Sequence, residues 1–182
     1  MTWSPVLTLA IMDVLIADRK PSVITAVEEC NPSFDFELGD PLAYDIDAVV
    51  SPANTKGIMN GGYDAVLRRY FGVTIEMRVR QYIDKYPVSV GEAISVLTGH
   101  EKVPYLIVSP TVSVSGEGLS GHESVSYSCA YASVIAAHKR GASYLGMTGL
   151  GTGVGGLSVR DAVRQQVKGI EDALERIAND MG

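Results

Sequence analysis

Tyr144-Leu145-Gly146-Met147-Thr148-Gly149-Leu150-Gly151-Thr152-Gly153-Val154-Gly155-Gly156 runs from a short apolar segment straight into a glycine loop, and a long amphipathic segment follows it. Tyr144–Met147 reads as a strand and Ser158–Asn179 as a helix. Gly151, Gly153 and Gly156 match the G-x-G-x-x-G spacing of dinucleotide folds. That fold requires a further strand after the helix, ending in an acidic residue about twenty residues on. Here the helix runs almost to Gly182 and leaves no room for one. A P-loop fails as well, because no Gly-Lys-Ser/Thr follows the glycines. What remains is a backbone cradle for an anion. Closely spaced glycines let the chain approach a ligand, and N–H groups at a helix start face a phosphate. The competing reading is a tight turn that packs strand against helix.

Upstream, a second loop has the same setting. Ser51-Pro52-Ala53-Asn54-Thr55-Lys56-Gly57-Ile58-Met59-Asn60-Gly61-Gly62 follows the apolar strand Ala48–Ser51 and precedes a helix over Tyr63–Phe71. Other expected strands are Leu7–Ala17, Ser33–Leu38, Glu92–Leu97 and Tyr105–Ser109. Helices are expected at Ser22–Cys30, Thr74–Tyr86 and His122–Lys139. Val159, Val163, Val167, Ile170, Leu174 and Ile177 make an apolar stripe at helical spacing, which reads as core. Ser158 and Asp161 resemble a capping box. Strands alternating with helices predict a mixed, mostly parallel sheet covered on both faces, a three-layer α/β/α domain over residues 1–182. Ligands bind such sheets at the carboxyl ends of the strands, where both glycine loops lie.

Composition bounds the function. The chain has 182 residues, 46% hydrophobic and 20% charged, with a net charge of −6. An acidic domain does not attract polyanions by its overall field, so general nucleic-acid binding is not expected. Val6–Ile16 is apolar, but no Lys or Arg precedes it and Asp13 interrupts it. It is also too short to span a bilayer, so no membrane association is expected and the cytoplasm is the expected compartment. Cys30 and Cys129 lack metal-ligand spacing and read as two buried, unpaired thiols. His100, His122 and His138 are isolated, so no metal site is expected. Lys56 reads as solvated and Trp3 as packing.

The two loops together resemble a macrodomain, the ADP-ribose-binding α/β module. The family pattern is a Gly-Asp turn, a short strand, an Asn-Ala-Ala-Asn loop and a glycine run. Gly39-Asp40, Ala48-Val49-Val50, Ser51-Pro52-Ala53-Asn54 and Asn60-Gly61-Gly62 match it in order and spacing. The resemblance covers Phe34 to the C-terminus and implies roles by position. Asp40, beside Pro41, would accept a hydrogen bond from the adenine amino group; read alone, it is an Asx-turn residue. Pro41, Ala53, Gly61, Gly62 and Tyr63 would line the site. Gly151, Thr152, Gly153, Val154 and Gly155 would face the phosphates and distal ribose. Asn54 would bond the distal ribose and, with Asp64, serve as a catalytic residue in hydrolysis; read alone, it is a loop residue tolerant of left-handed geometry. Asp64 lies ten positions after Asn54, where an acidic residue of the hydrolase branch positions water for attack at the anomeric carbon. Read alone, Asp64 favours the helix dipole.

Four departures stand out. Asn60 replaces the first of three glycines, Tyr63 a small aliphatic residue, Pro52 an alanine, and Gly155 an aromatic residue over the distal ribose. The Gln-Glu-Glu signature of poly-ADP-ribose glycohydrolases is absent. The resemblance implies ADP-ribose, or an ADP-ribosylated protein, as partner, with no cofactor. It leaves open hydrolysis of mono-ADP-ribosyl or O-acyl-ADP-ribose bonds, a non-enzymatic reader, a phosphatase acting on ADP-ribose 1″-phosphate, and a degenerate domain binding another nucleotide.

Overall fold

The computed structural model describes residues 11–114, 124–152 and 157–182. Strands β1 (Asp13–Asp18), β2 (Asp35–Leu38), β3 (Ala48–Ser51), β4 (Ile94–Leu97), β5 (Tyr105–Val108) and β6 (Tyr144–Met147) form one sheet in the order β2-β1-β6-β3-β5-β4. All neighbours are parallel except β4, which runs antiparallel to β5 at the edge. Helices α1 (Pro21–Cys30), α2 (Gly62–Phe71), α3 (Thr74–Lys85), α4 (Val125–Lys139) and α5 (Val159–Met181) cover it. The expected three-layer arrangement is therefore present.

Strand alternation divides the core in two. Val14, Ile16, Ala48, Val50, Ile107, Leu145 and Met147 face α1, α4 and α5. Leu15, Ala17, Val49, Leu106 and Val108 face α2 and α3. In the central strands both sets are fully buried, as expected of parallel strands covered on both sides. The stripe on α5 packs as core: Val163, Val167, Ile170 and Ile177 are buried, and Val159 and Leu174 pack against them. Ser158 caps the helix, its Oγ accepting from Asp161 N–H at 3.1 Å.

The two longest-packed helices meet through Gly169. A Cβ there would lie 2.4 Å from the Tyr127 carbonyl oxygen of α4, so the backbones touch where only hydrogen fits. Tyr127 Oη donates to Asp172 (2.9 Å) and Arg176 Nη1 donates to Tyr131 Oη (3.2 Å), extending the same interface.

Several expectations need correction. β1 begins at Asp13 and extends to Asp18; Leu7–Ala10, Trp3 and His122 lie outside the described residues. Cys129 is buried, but Cys30 is exposed at the end of α1. The turn after Asp40 is a short 3-10 helix, Pro41–Ala43. Among the described residues no helix is long and apolar enough to cross a membrane.

Candidate functional site

A cleft of about 560 Å³ opens at the carboxyl ends of β1, β3 and β6, inside the roughly 300–1,000 Å³ range of small-molecule sites. Asp40, Ala53, Asn54, Gly61, Gly62, Tyr63, Asp64, Gly151 and Thr152 all contribute to its lining. Residues separated by more than a hundred positions thus converge on one rim. Pro41 is buried beside it and is not part of the lining. Gly153, Val154 and Gly155 lie outside the described residues.

The first loop wraps around Asn54. Its Oδ1 accepts the Lys56 (3.1 Å) and Ile58 (3.2 Å) N–H groups, and its Nδ2 donates to the Ile58 carbonyl at 2.9 Å. No described non-glycine residue has a positive φ, so Asn54 is not in the left-handed geometry its bland reading assumed. It is a strut that shapes the loop by its side chain. The segment after β5 continues alongside, with Thr111 N–H donating to the Ala53 carbonyl at 2.9 Å.

Gly61 precedes the first turn of α2, and a Cβ at Gly61 or Gly62 would meet nothing within 4 Å. The helix start therefore presents bare backbone to the cleft, the arrangement that suits an anion. One turn in, Asp64 is only 5% exposed. Ser51 Oγ, itself buried, donates to Asp64 Oδ1 at 2.6 Å. Burial pushes the Asp64 carboxyl up to about 6; Glu76 adds to the rise and the Ser51 bond opposes it. A carboxylate titrating there, at a cleft wall, has the character of a general base. Glu76 is held by Arg68 Nε at 2.8 Å.

The second loop is anchored from three sides. Asp18 accepts from Gly149 N–H (3.0 Å) and Lys20 N–H (2.8 Å), tying the end of β1 to the loop. Gln166, fully buried on α5, accepts from Leu150 N–H (2.9 Å) and donates to the Thr148 carbonyl (2.8 Å). Gly151 has φ +73°, and a Cβ there would lie 2.4 Å from Ser126 Oγ. Tight packing thus explains Gly151. Gln166→Leu would strand two buried backbone groups, and thermal unfolding should report a loss of about 2 kcal/mol.

Sequence reasoning missed the end of β1. Asp18, Arg19 and Lys20 line the cleft. The signal was available, because the strand-end rule applies to β1 as it does to β3 and β6. Lys56 is elsewhere, against a separate hollow with Asp84 and Pro87. His100 packs on Tyr70 and Phe71. Among the described residues no three His, Cys, Asp or Glu gather to hold a metal ion.

The family model for the Macro domain matches residues 50–166. An uncharacterised protein of Aquifex aeolicus is 32% identical over 72% of this chain and 77% of its own length. One from Aeropyrum pernix is 34% identical over 70% of this chain and 65% of its own. Relatives in Mycobacterium are longer, and the match spans 40% of one from Mycobacterium tuberculosis. Among solved structures, the macrodomain of Mycobacterium tuberculosis DarG superposes with a TM-score of 0.63 at 20% identity, over 75% of this chain and 88% of that one. A Trypanosoma brucei macrodomain solved in complex with ADP-ribose gives 0.60 at 21%, over 93% and 61%. At these identities the superpositions speak to the fold.

Proposed function

The chain belongs to the macro domain family, and from that premise we propose that its cleft binds ADP-ribose, free or attached to protein, and hydrolyses the bond at the distal ribose. The observation that carries the reading is the convergence of a bare helix start, a strapped glycine loop and a buried carboxylate on one rim. The diphosphate lies between the N-terminus of α2 and the loop after β6, which supply backbone N–H groups. The acidity of the domain is no obstacle, because these donors are local. The distal ribose then reaches Asn54 and Asp64. Asp64 accepts a proton from water as the water oxygen attacks the anomeric carbon. The bond from that carbon to the acyl oxygen breaks, releasing ADP-ribose and a free carboxylate. This chemistry needs no metal.

Titration calorimetry with ADP-ribose tests the shared claim. Binding tighter than about 1 mM, near −4 kcal/mol, is expected; no heat and no thermal shift at millimolar ligand would sink the reading. Incubation with a protein mono-ADP-ribosylated on acidic side chains tests the chemistry, with release of ADP-ribose expected. A second reading, a binder without turnover, is favoured by one observation: the Asn54 side chain is committed to its own loop. Tight binding without release would select it.

A further inference from the structure

The first loop lies on the face of α3 that carries Glu76, Val79 and Ile83. Gly57 has φ +67°, and a Cβ there would stand 2.7 Å from Val79 Cγ1 and 3.0 Å from Ile83 Cδ1, so the loop backbone seats directly on the helix. One turn earlier on that face, Glu76 Oε1 accepts the Met59 N–H at 3.2 Å. Ile58 and Asn60, on either side of Met59, line the cleft, while the Met59 side chain is buried in the core with Ile75 and Val79. The amide is therefore gripped from behind the binding surface. Glu76 is the third residue of α3. A glutamate there ordinarily reaches back to the N–H ahead of the helix and completes a capping box. Here Val73 supplies no side-chain cap, and the Glu76 carboxylate goes to the loop instead. Its other oxygen, Oε2, stands 2.8 Å from Arg68 Nε of α2. That nitrogen is sealed from solvent and makes no hydrogen bond among the described residues, so the contact is an ion pair that fixes the carboxylate between two helices.

We propose that Glu76 is a positioning residue for the cleft: from α3 it fixes the Met59 amide, and with it the strip of residues 58–62 that receives the ligand. The proposal rests on the ADP-ribose reading and deepens it. Asn54 braces the loop as far as Ile58, and α2 begins at Gly62; Glu76 supplies the hold between them. Backbone that presents N–H groups to an anion loses little entropy on binding when it is already fixed. Without Glu76 the Met59 N–H loses a charged acceptor, the strip gains freedom, and binding must then order it. The role needs an acceptor rather than a charge. Were Glu76 kept for the α3 dipole or for Arg68 alone, its negative charge would be what matters. Glutamine separates the two, because it keeps a carbonyl oxygen and gives up the charge.

Amide hydrogen exchange and calorimetry with ADP-ribose compare wild type, Glu76→Ala and Glu76→Gln. Relative to amides of the central strands, Met59 exchange should quicken about tenfold in Glu76→Ala and stay within about threefold of wild type in Glu76→Gln. ADP-ribose affinity should fall roughly tenfold in the alanine variant and return to within about threefold in the glutamine variant. Should Glu76→Ala fail to fold, Arg68→Met carries the test: by releasing the carboxylate it should quicken Met59 exchange about threefold while the central strands stay unchanged. An equal loss in the alanine and glutamine variants, or Met59 exchange that keeps its wild-type rate in the variant carrying the test, would overturn the proposal and leave the ADP-ribose reading standing. If wild type itself binds no ADP-ribose, that reading falls and takes the ligand role with it, whereas the exchange rates still decide whether Glu76 holds the loop.

Discussion

Asp64→Asn should lower release of ADP-ribose from a modified protein by about 10²–10⁴-fold, the usual contribution of a general base, while calorimetry shows ADP-ribose affinity changed only a few-fold. The substitution keeps the shape and still accepts the Ser51 hydroxyl, so the loss isolates proton transfer. The wild-type rate should climb with pH through about 6, where the Asp64 carboxyl ionises, and then level off. That climb should be missing from the residual activity of the variant. Release that persists at the wild-type rate would remove Asp64 from the mechanism.

The same carboxyl carries a stability signature of opposite sign. Its folded-state pKa is raised from the ordinary 3.8 to about 6. Between those values the folded protein holds a proton that the unfolded chain has released, so stability falls as pH rises through that window. Above it the folded state bears an ionised, buried carboxylate. Asp64→Asn should therefore be more stable than wild type at pH 7, by roughly 3 kcal/mol at about 1.4 kcal/mol per tenfold. The advantage should shrink toward pH 4 in chemical denaturation. A variant both inactive and more stable marks a residue kept for chemistry.

Gly169→Val should cost about 3 kcal/mol or more, a fall in melting temperature of roughly 6–12 °C for a chain of this size. The added Cβ meets the Tyr127 carbonyl, and backbone cannot yield as a flexible side-chain end can. Valine recovers little helix propensity over glycine, so almost nothing offsets the clash. Because Gln166 stands one turn away on α5, displacement of the helix should also loosen the loop after β6 and weaken ADP-ribose binding. An unchanged melting temperature would show that α4 and α5 are free to separate.

Local patterns carried much of the architecture. β3, β6 and the span of α2 follow from short apolar runs bounded by glycine and proline, and the α5 stripe from its period. The mixed sheet follows from the alternation of strands and helices. Other features depend on partners distant in sequence. Nothing near Gly169 announces Tyr127. Gln166 reads as an ordinary polar helix residue until the fold delivers the Leu150 and Thr148 backbone to it. Cys30 reads as buried because unpaired thiols usually are, yet it ends α1 at the surface. Tyr63 is visible as a departure in sequence; only the fold shows that Asp40, twenty-three positions earlier, is its partner.

The place of β6 in the sheet has a consequence for synthesis. β6 lies between β1 and β3, and its Tyr144 pairs with Asp13, 131 positions earlier. At about 5–20 residues per second, the ribosome needs on the order of ten seconds to make the intervening chain. Throughout that interval β1 and β3 each lack a neighbour, and their apolar faces have no α5 to cover them. The sheet centre cannot close from an N-terminal fragment that stops short of β6. Such a nascent chain is exposed to edge pairing and aggregation until β6 has emerged.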